Sequence, residues 1–318
     1  MHYILIVVKL QINKYFVAKQ TRRIFTMQKT IGFIGLGIMG QPMAHNLIQA
    51  GFKVYGFDVS PQSRETAEIK GVKTFTSASE VAQHSDIVIT MLPTNKIVSD
   101  VITGENGLIH HLKPESIIID MSSVTPTVTQ SIGQQLAKNN IHLLDAPVSG
   151  GQEGAISGKL AIMVGGNAKI FNQALPIFDV LGHSTILVGA LGAGVTAKLA
   201  NQIIVNLNIA AVSEAFILAD KAGINQQKMF EAIRGGLAGS QVLEDKSPRI
   251  IASNFVAGGR IDINTKDINN AAQTATDLGL NLPLTTNLLT ILNKLNETDH
   301  RIEDHSAIYH YYKEESER

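Results

Sequence analysis

Short β-branched runs alternate with helix-length segments from residue 30 to about 188, and beyond Gly194 strand signals nearly vanish. One apolar-periodic stretch of about 28 residues, 195–222, separates the two regimes. These observations predict an α/β, doubly wound N-terminal domain followed by an all-α C-terminal domain, joined by a long helix. The length agrees: 318 residues at roughly 150 per domain make about two domains. The apolar content of 44% suffices for a core in each.

Taken in order, the expected strands are 31–35, 53–57, 86–91, 116–120 and 141–145, near-continuous apolar runs of the kind buried on both faces of a parallel sheet. Segments such as 39–50 and 126–138 supply the crossover helices, and 160–164 and 185–188 extend the sheet. The long stretch repeats Val195, Leu199, Ile203, Leu207, Ala211, Ala215 and Leu218 and stops at Gly223, a helix with its terminator. Asn201, Asn206, Asn208 and Glu214 inside it argue against a membrane span. Helical patterning at 227–233, 265–278 and 284–295 completes the C-terminal domain. The expected division is residues 27–191 for the first domain and 192–318 for the second.

Residues 1–26 carry five basic residues and no acid, and Met27 stands three residues before the first strand. Their apolar run, 4–8, is too short for a secretory or membrane segment, and the stretch has no serine, unlike a transit peptide. We expect Met27 to be the working start and residues 1–26 to lack fixed structure, leaving a net charge of −5 from Met27 onward (22 basic against 27 acidic).

Composition excludes several function classes. Lys plus Arg and Asp plus Glu are both 27, so the chain carries no field that would collect nucleic acid or anionic lipid. With no cysteine there is no disulfide, thiolate nucleophile or cysteine-ligated metal, as suits a reducing cytoplasm. Tryptophan is absent and aromatics are 5%, too few for stacking platforms that read single strands. The histidines show no i, i+4 pair with a carboxylate partner, so no metal is expected.

The glycines cluster where chemistry would lie. Gly35-Leu36-Gly37-Ile38-Met39-Gly40 follows the first strand and opens a helix, and Asp58 ends the next strand twenty-one residues past Gly37. Strand, turn, helix and acid in this register form the dinucleotide fingerprint of a Rossmann-type domain. The first glycine permits the tight turn, the second admits the pyrophosphate to the backbone, and the third lets helix and strand pack closely. Asp58 can accept both ribose hydroxyls and would repel a 2′-phosphate, so NAD is favoured over NADP, with Arg64 near enough to keep NADP in play.

Two more glycine turns follow, Pro147-Val148-Ser149-Gly150-Gly151 and 189–194. Ser149 with the bare amides of Gly150 and Gly151 offers a nest for a carboxylate, or simply a turn needing positive φ. Lys198 opens the otherwise apolar long helix with Asn201 and Gln202 on the same face. A lysine there either snorkels to the surface or, if desolvated, has a lowered pKa and can pass a proton to a carbonyl oxygen, with the asparagine fixing its position.

Together these residues resemble the β-hydroxyacid dehydrogenase family. The likeness runs from Lys29 to about Tyr312 through four ordered motifs: 33–40 with Pro42-Met43 and Asn46-Leu47; 145–151; 192–194 leading to Lys198-Leu199-Ala200-Asn201-Gln202; and Lys266-Asp267. The resemblance implies Lys198 as general acid/base with Asn201 beside it, and Ser149, Gly150 and Gly151 on the substrate carboxylate. It also implies that Lys266 reaches toward cofactor and substrate, and that Leu92, Pro93 and Ser123 line the nicotinamide side. The resemblance also places Gln202 among the substrate-binding residues, at a position where many relatives have a second asparagine. Residues 234–240, 259–262 and 304–307 resemble the tartronate semialdehyde reductase branch more than the 3-hydroxyisobutyrate branch. The implied reaction is NADH-dependent reduction of 2-hydroxy-3-oxopropanoate (tartronate semialdehyde) to D-glycerate, by a homodimer or homotetramer. The alternatives are another short 3-hydroxyacid dehydrogenase, or a non-catalytic NAD-binding interaction module. The Tyr309–Lys313 pair, spaced as in another dehydrogenase class, lies in the charged C-terminal tail rather than the nucleotide domain and is set aside.

Overall fold

A computed structural model describes residues 29–317; the reading of residues 1–26 lies outside them. The chain divides into two compact units, the first ending at Val195 and the second starting at Thr196.

In the first unit, β1 (Thr30–Ile34), α1 (Gly40–Gln49), β2 (Lys53–Phe57), α2 (Pro61–Ile69), β3 (Lys73–Thr74), α3 (Ala78–Gln83) and β4 (Ile87–Thr90) alternate. They are followed by α4 (Asn95–Thr103), β5 (Ile117–Asp120), α5 (Pro126–Ala137) and β6 (His142–Asp145). The strand order β3-β2-β1-β4-β5-β6, all parallel, is the doubly wound dinucleotide-binding order. Helices α2 to α5 start on side-chain caps that satisfy otherwise unpaired amides: Ser60, Ser77, Thr94 and Thr125 each accept from the residue three positions on. Buried residues alternate to opposite faces of the central strands, so Ile31, Phe33, Ile87 and Ile89 enter one core and Ile34, Val88 and Ile118 the other.

Beyond β6 the sheet departs from the expected parallel arrangement. The chain passes β7 (Val148–Ser149) and α6 (Gly151–Ser157) and returns along β8 (Leu160–Gly166), antiparallel to both β6 and β7. A short turn can join antiparallel strands, whereas a parallel return needs a long crossover; here α7 (Ala168–Leu181) supplies one, bringing β9 (Gly182–Gly189) parallel to β8. The two-residue strands β3 and β7 are too short to leave a periodic signal and escaped the sequence reading.

The second unit is helical. It holds most of α8 (Ala193–Lys221), then α9 (Gln226–Ile233), α10 (Gln241–Ile251), α11 (Ile261–Asp277), α12 (Pro283–Asn296) and α13 (Ile308–Glu317). Two single 3₁₀ turns, Asp299–Ile302 and His305–Ala307, link the last two helices. Its core joins Phe216, Phe230, Leu243, Ile268 and Leu292. By length and composition alone α8 could cross a bilayer. Yet it carries a row of buried polar side chains, Lys198, Gln202 and Asn206, at helical i, i+4 spacing.

Candidate active site

In the first unit the fingerprint glycines are packed as three different jobs require. Gly35 has φ +97°, and a Cβ there would stand 2.3 Å from the Met91 carbonyl. A Cβ on Gly40 would stand 1.8 Å from the Gly35 carbonyl oxygen. Both positions are closed to any side chain by the close passage of strand, turn and helix. At Gly37, by contrast, a Cβ would meet nothing within 4 Å. Packing does not require glycine there, and its backbone lies open to close approach. Leu36 is buried, whereas Ile38 is exposed and Met39 half-buried over the same turn.

Asp58, at the end of β2, accepts the Leu36 amide (2.7 Å) on one carboxylate oxygen and the Ser60 amide (2.8 Å) on the other. Each oxygen keeps a lone pair for a hydroxyl donor. Arg64 donates from Nη1 to the Asp58 backbone carbonyl (2.6 Å), which holds its guanidinium against the turn after β2.

At the ends of β4 and β5, Leu92 donates its amide to Ser122 Oγ (2.9 Å), with Pro93 and Ser123 alongside in the adjoining loops. Beneath them Asp120 is buried, accepting from Thr90 Oγ1 (2.8 Å) and the Ser122 amide (3.1 Å). Burial pushes its carboxyl up to about 6. The neighbouring Asp145 is fully buried, and its two oxygens accept the Gly192 (2.9 Å) and Val195 (2.8 Å) amides. It thereby caps the start of α8, the helix that carries Lys198. Gly194 makes this possible, since a Cβ there would lie 2.4 Å from the Met163 carbonyl oxygen. Burial raises the Asp145 carboxyl, and the accepted amides oppose that. Ser149 is half-buried in β7, and Gly150 (φ +132°) and Gly151 (φ +60°) leave their backbone exposed.

In the second unit Lys198 is 8% exposed, not a snorkelling surface residue. Its ammonium donates to Gln202 Oε1 (3.1 Å). Asn201, expected to fix the lysine, instead donates its own amide to that same Gln202 oxygen (3.1 Å). The glutamine one turn on lies directly over Lys198, so position 202, not 201, is the direct partner. The Gln202 amide cannot flip without loss. Its Nε2 donates to Asp267 Oδ2 (2.7 Å) and Asn264 Oδ1 (3.3 Å), which leaves the oxygen facing the two donors. Asp267 is buried and also pairs with Lys266 Nζ (2.9 Å). Lys198, Lys266 and Asp267 thus carry one net positive charge. Burial lowers the Lys198 ammonium to about 8; the Asp267 carboxylate holds it up and Lys266 pushes it down.

A second polar layer backs this one. Asn206 donates to the Gln202 carbonyl (2.9 Å) and accepts, through Oδ1, from His305 Nδ1 (3.2 Å). Burial and nearby Lys246 drop the His305 imidazole to about 4. Asp304, fully buried, accepts Lys246 Nζ and the Gly258 and Gly259 amides (3.2 and 3.0 Å). Burial works against its charge, but His305, Lys246 and Ser306 hold it well below the usual carboxylate range.

Sequence reasoning missed Asn264, Asp267 as a clamp, Asn206 and His305. The available signal was the i, i+4 polar row on α8 and its counterpart, Asn264 and Asp267, on α11. Tyr309 of the set-aside pair lies in the helical unit, its hydroxyl near Gln226 Nε2 (3.3 Å).

Comparison with known proteins follows the same two-part division. Residues 30–189 match the model of the NAD binding domain of 6-phosphogluconate dehydrogenase. Residues 192–312 match that of NAD-binding of NADP-dependent 3-hydroxyisobutyrate dehydrogenase. The chain is 42% identical to 2-hydroxy-3-oxopropionate reductase of Escherichia coli over 278 residues, 87% of this chain and 95% of that one. It is 37% identical to 2-(hydroxymethyl)glutarate dehydrogenase of Eubacterium barkeri, over 81% of this chain and 87% of that one. Among solved structures, Mycobacterium tuberculosis 3-hydroxyisobutyrate dehydrogenase with L-serine superposes with a TM-score of 0.83 at 33% identity, covering 89% of this chain and 98% of that one. With an NAD(P)-binding first unit and these relatives over most of its length, the chain belongs to the β-hydroxyacid dehydrogenase family, oxidoreductases acting on CH–OH groups.

Proposed function

We propose that this chain reduces tartronate semialdehyde (2-hydroxy-3-oxopropanoate) to D-glycerate, as a cytoplasmic enzyme using NADH in preference to NADPH. Residues 27–191 hold the cofactor and 192–318 supply the acid. The observation that carries this reading is Lys198: a buried ammonium at about 8, aimed by a glutamine that cannot turn. The 42% identity to a reductase of that name supports the substrate choice.

The chain's residues fit the cofactor. Gly37 leaves space that a Cβ would narrow, and Asp58 retains acceptor capacity toward ribose hydroxyls. Bound NADH supplies the hydride. In this reading Lys198 donates its proton to the carbonyl oxygen as negative charge develops there, which suits an ammonium at about 8 near neutral pH. Gln202 keeps the ammonium in place, and Asn201 and Asp267 keep Gln202 in place. The net positive charge of the Lys198, Lys266 and Asp267 group favours a substrate carboxylate. In the first unit, Ser149 and the exposed backbone of Gly150 and Gly151 form a nest that can itself take a carboxylate. No metal takes part in this scheme. Ile204, Ala211 and Leu218 are exposed at seven-residue spacing along α8 and supply an apolar stripe for a homodimer or homotetramer.

The test is a panel of short semialdehydes and 3-hydroxy acids, with NADH and NADPH measured separately. The reading expects the highest kcat/KM for tartronate semialdehyde with NADH. A higher value for methylmalonate semialdehyde would move the assignment to 3-hydroxyisobutyrate dehydrogenase. NADH binding with no turnover of any member would leave a binding module.

A further inference from the structure

Away from Lys198, the link between α12 and α13 gathers three side chains with nitrogen and oxygen donors. His300 sits in the 3₁₀ turn Asp299–Ile302, Glu303 follows that turn, and His310 lies in the first turn of α13. His300 Nδ1 and Glu303 Oε2 are 2.7 Å apart, and His310 Nε2 is 3.8 Å from the same oxygen. All three donor atoms fall within 4.8 Å of one another. The two imidazoles stack at 4.3 Å between centroids, 17° from parallel, so one ring must turn about its Cβ–Cγ bond before both nitrogens face one ion. From this geometry we propose that His300, Glu303 and His310 form a zinc site, outside the site of the reaction.

The donor set supports zinc. Two imidazoles and one carboxylate, with water in the fourth position, are an established ligand class for Zn²⁺. Donors about 2.0–2.1 Å from a tetrahedral ion lie about 3.4 Å apart, and the observed 2.7 and 3.8 Å bracket that spacing. A ring rotation and a small shift of the carboxylate bring the three donors to that spacing. On binding, His300 ligates through Nδ1 as the neutral tautomer whose single ring proton is on Nε2, and the Glu303 carboxylate ligates through Oε2.

The scaffold holds the donors still. The Thr298 hydroxyl caps the turn by accepting the His300 amide (3.3 Å). The Glu303 carbonyl accepts the Ile261 amide (3.0 Å), and the next residue, Asp304, donates its amide to the Phe255 carbonyl (2.9 Å). Phe255 packs its ring on His310 at 4.6 Å. All three ligands are about one-third exposed, which leaves an entry path and room for a water. A bound ion ties the 299–303 segment to α13, so its effect is on stability.

The experiment uses the untagged full chain, stripped with chelator and titrated with ZnCl₂ by calorimetry, with Tm recorded in parallel. The expected result is one tight equivalent with a Tm that rises with zinc concentration. His300→Gln and Glu303→Gln should each weaken that equivalent on the order of 100-fold. His110→Gln, an exposed histidine elsewhere, should not. Co²⁺ should give the intense visible absorption of a tetrahedral complex in the wild type and lose it in His300→Gln. Wild-type zinc affinity equal to that of His300→Gln, or an unmoved Tm at saturating zinc, overturns the proposal. Because these readouts ignore turnover, they stand or fall separately from the reductase reading.

Discussion

The two units build their candidate sites from different materials. In the first, backbone does the work: glycines shape the turn, Asp58 grips the amides of residues 36 and 60, and Asp145 grips those of 192 and 195. In the second, side chains hold one another, and Lys198, Gln202, Asn264 and Asp267 join helices more than sixty residues apart in sequence. A backbone site tolerates few residues at its turns and so leaves a motif. A side-chain network needs only mutual reach, which many combinations satisfy.

Substitutions can break or sharpen that contrast. The largest effect is expected for Lys198→Ala, which should lower the rate of reduction by ~10²- to 10⁴-fold, the usual span for general acid catalysis. NADH binding, measured by fluorescence titration, should be largely kept. Full turnover in that variant would remove Lys198 from the chemistry.

Next, Gly37→Ala tests the backbone site. Since a Cβ there has open space, Tm should stay near wild type while the Kd for NADH rises by about ten-fold or more. Gly35→Ala, which would drive a Cβ to 2.3 Å from the Met91 carbonyl, should instead lose folded protein. Equal behaviour of the two variants would mean that Gly37 serves packing.

A smaller effect tests the clamp. Reduction needs the Lys198 ammonium, so its rate should fall as pH rises through about 8, while the reverse oxidation should rise there. Removing the Asp267 charge removes the interaction that holds this group up. Asp267→Asn should therefore move both limbs to lower pH, by about one unit. An unmoved profile with reduced kcat would leave Asp267 a purely structural role.

The smallest effect concerns Asp120. Its carboxyl stands at about 6 in the fold against an ordinary 3.8. Its contribution to stability is fully present below about 4 and is lost as pH rises to about 6. Asp120→Asn keeps an oxygen for Thr90 and Ser122 and should recover up to about 3 kcal/mol at pH 7.5, less at pH 5. Thermal melts at the two pH values check this, and equal gains at both would refute the raised carboxyl.

Much of the fold and site is legible in the sequence. The G-x-G-x-x-G turn, Asp58, the five central strands and the long helix are local patterns whose spacing carries their meaning. The antiparallel β6-β8 and β7-β8 pairs are not, because strand direction after a short connection is settled by packing and not by periodicity.

Sequence alone determined the winding of the first unit, its nucleotide turn and the helical nature of the second, since each follows from short-range spacing and backbone sterics. Only tertiary structure decided that Lys198 is buried, that Gln202 and not Asn201 is its partner, that Asp267 fixes that partner's orientation, and that two histidines meet Glu303. Burial and side-chain reach depend on which helix faces pack together, and no single segment encodes that.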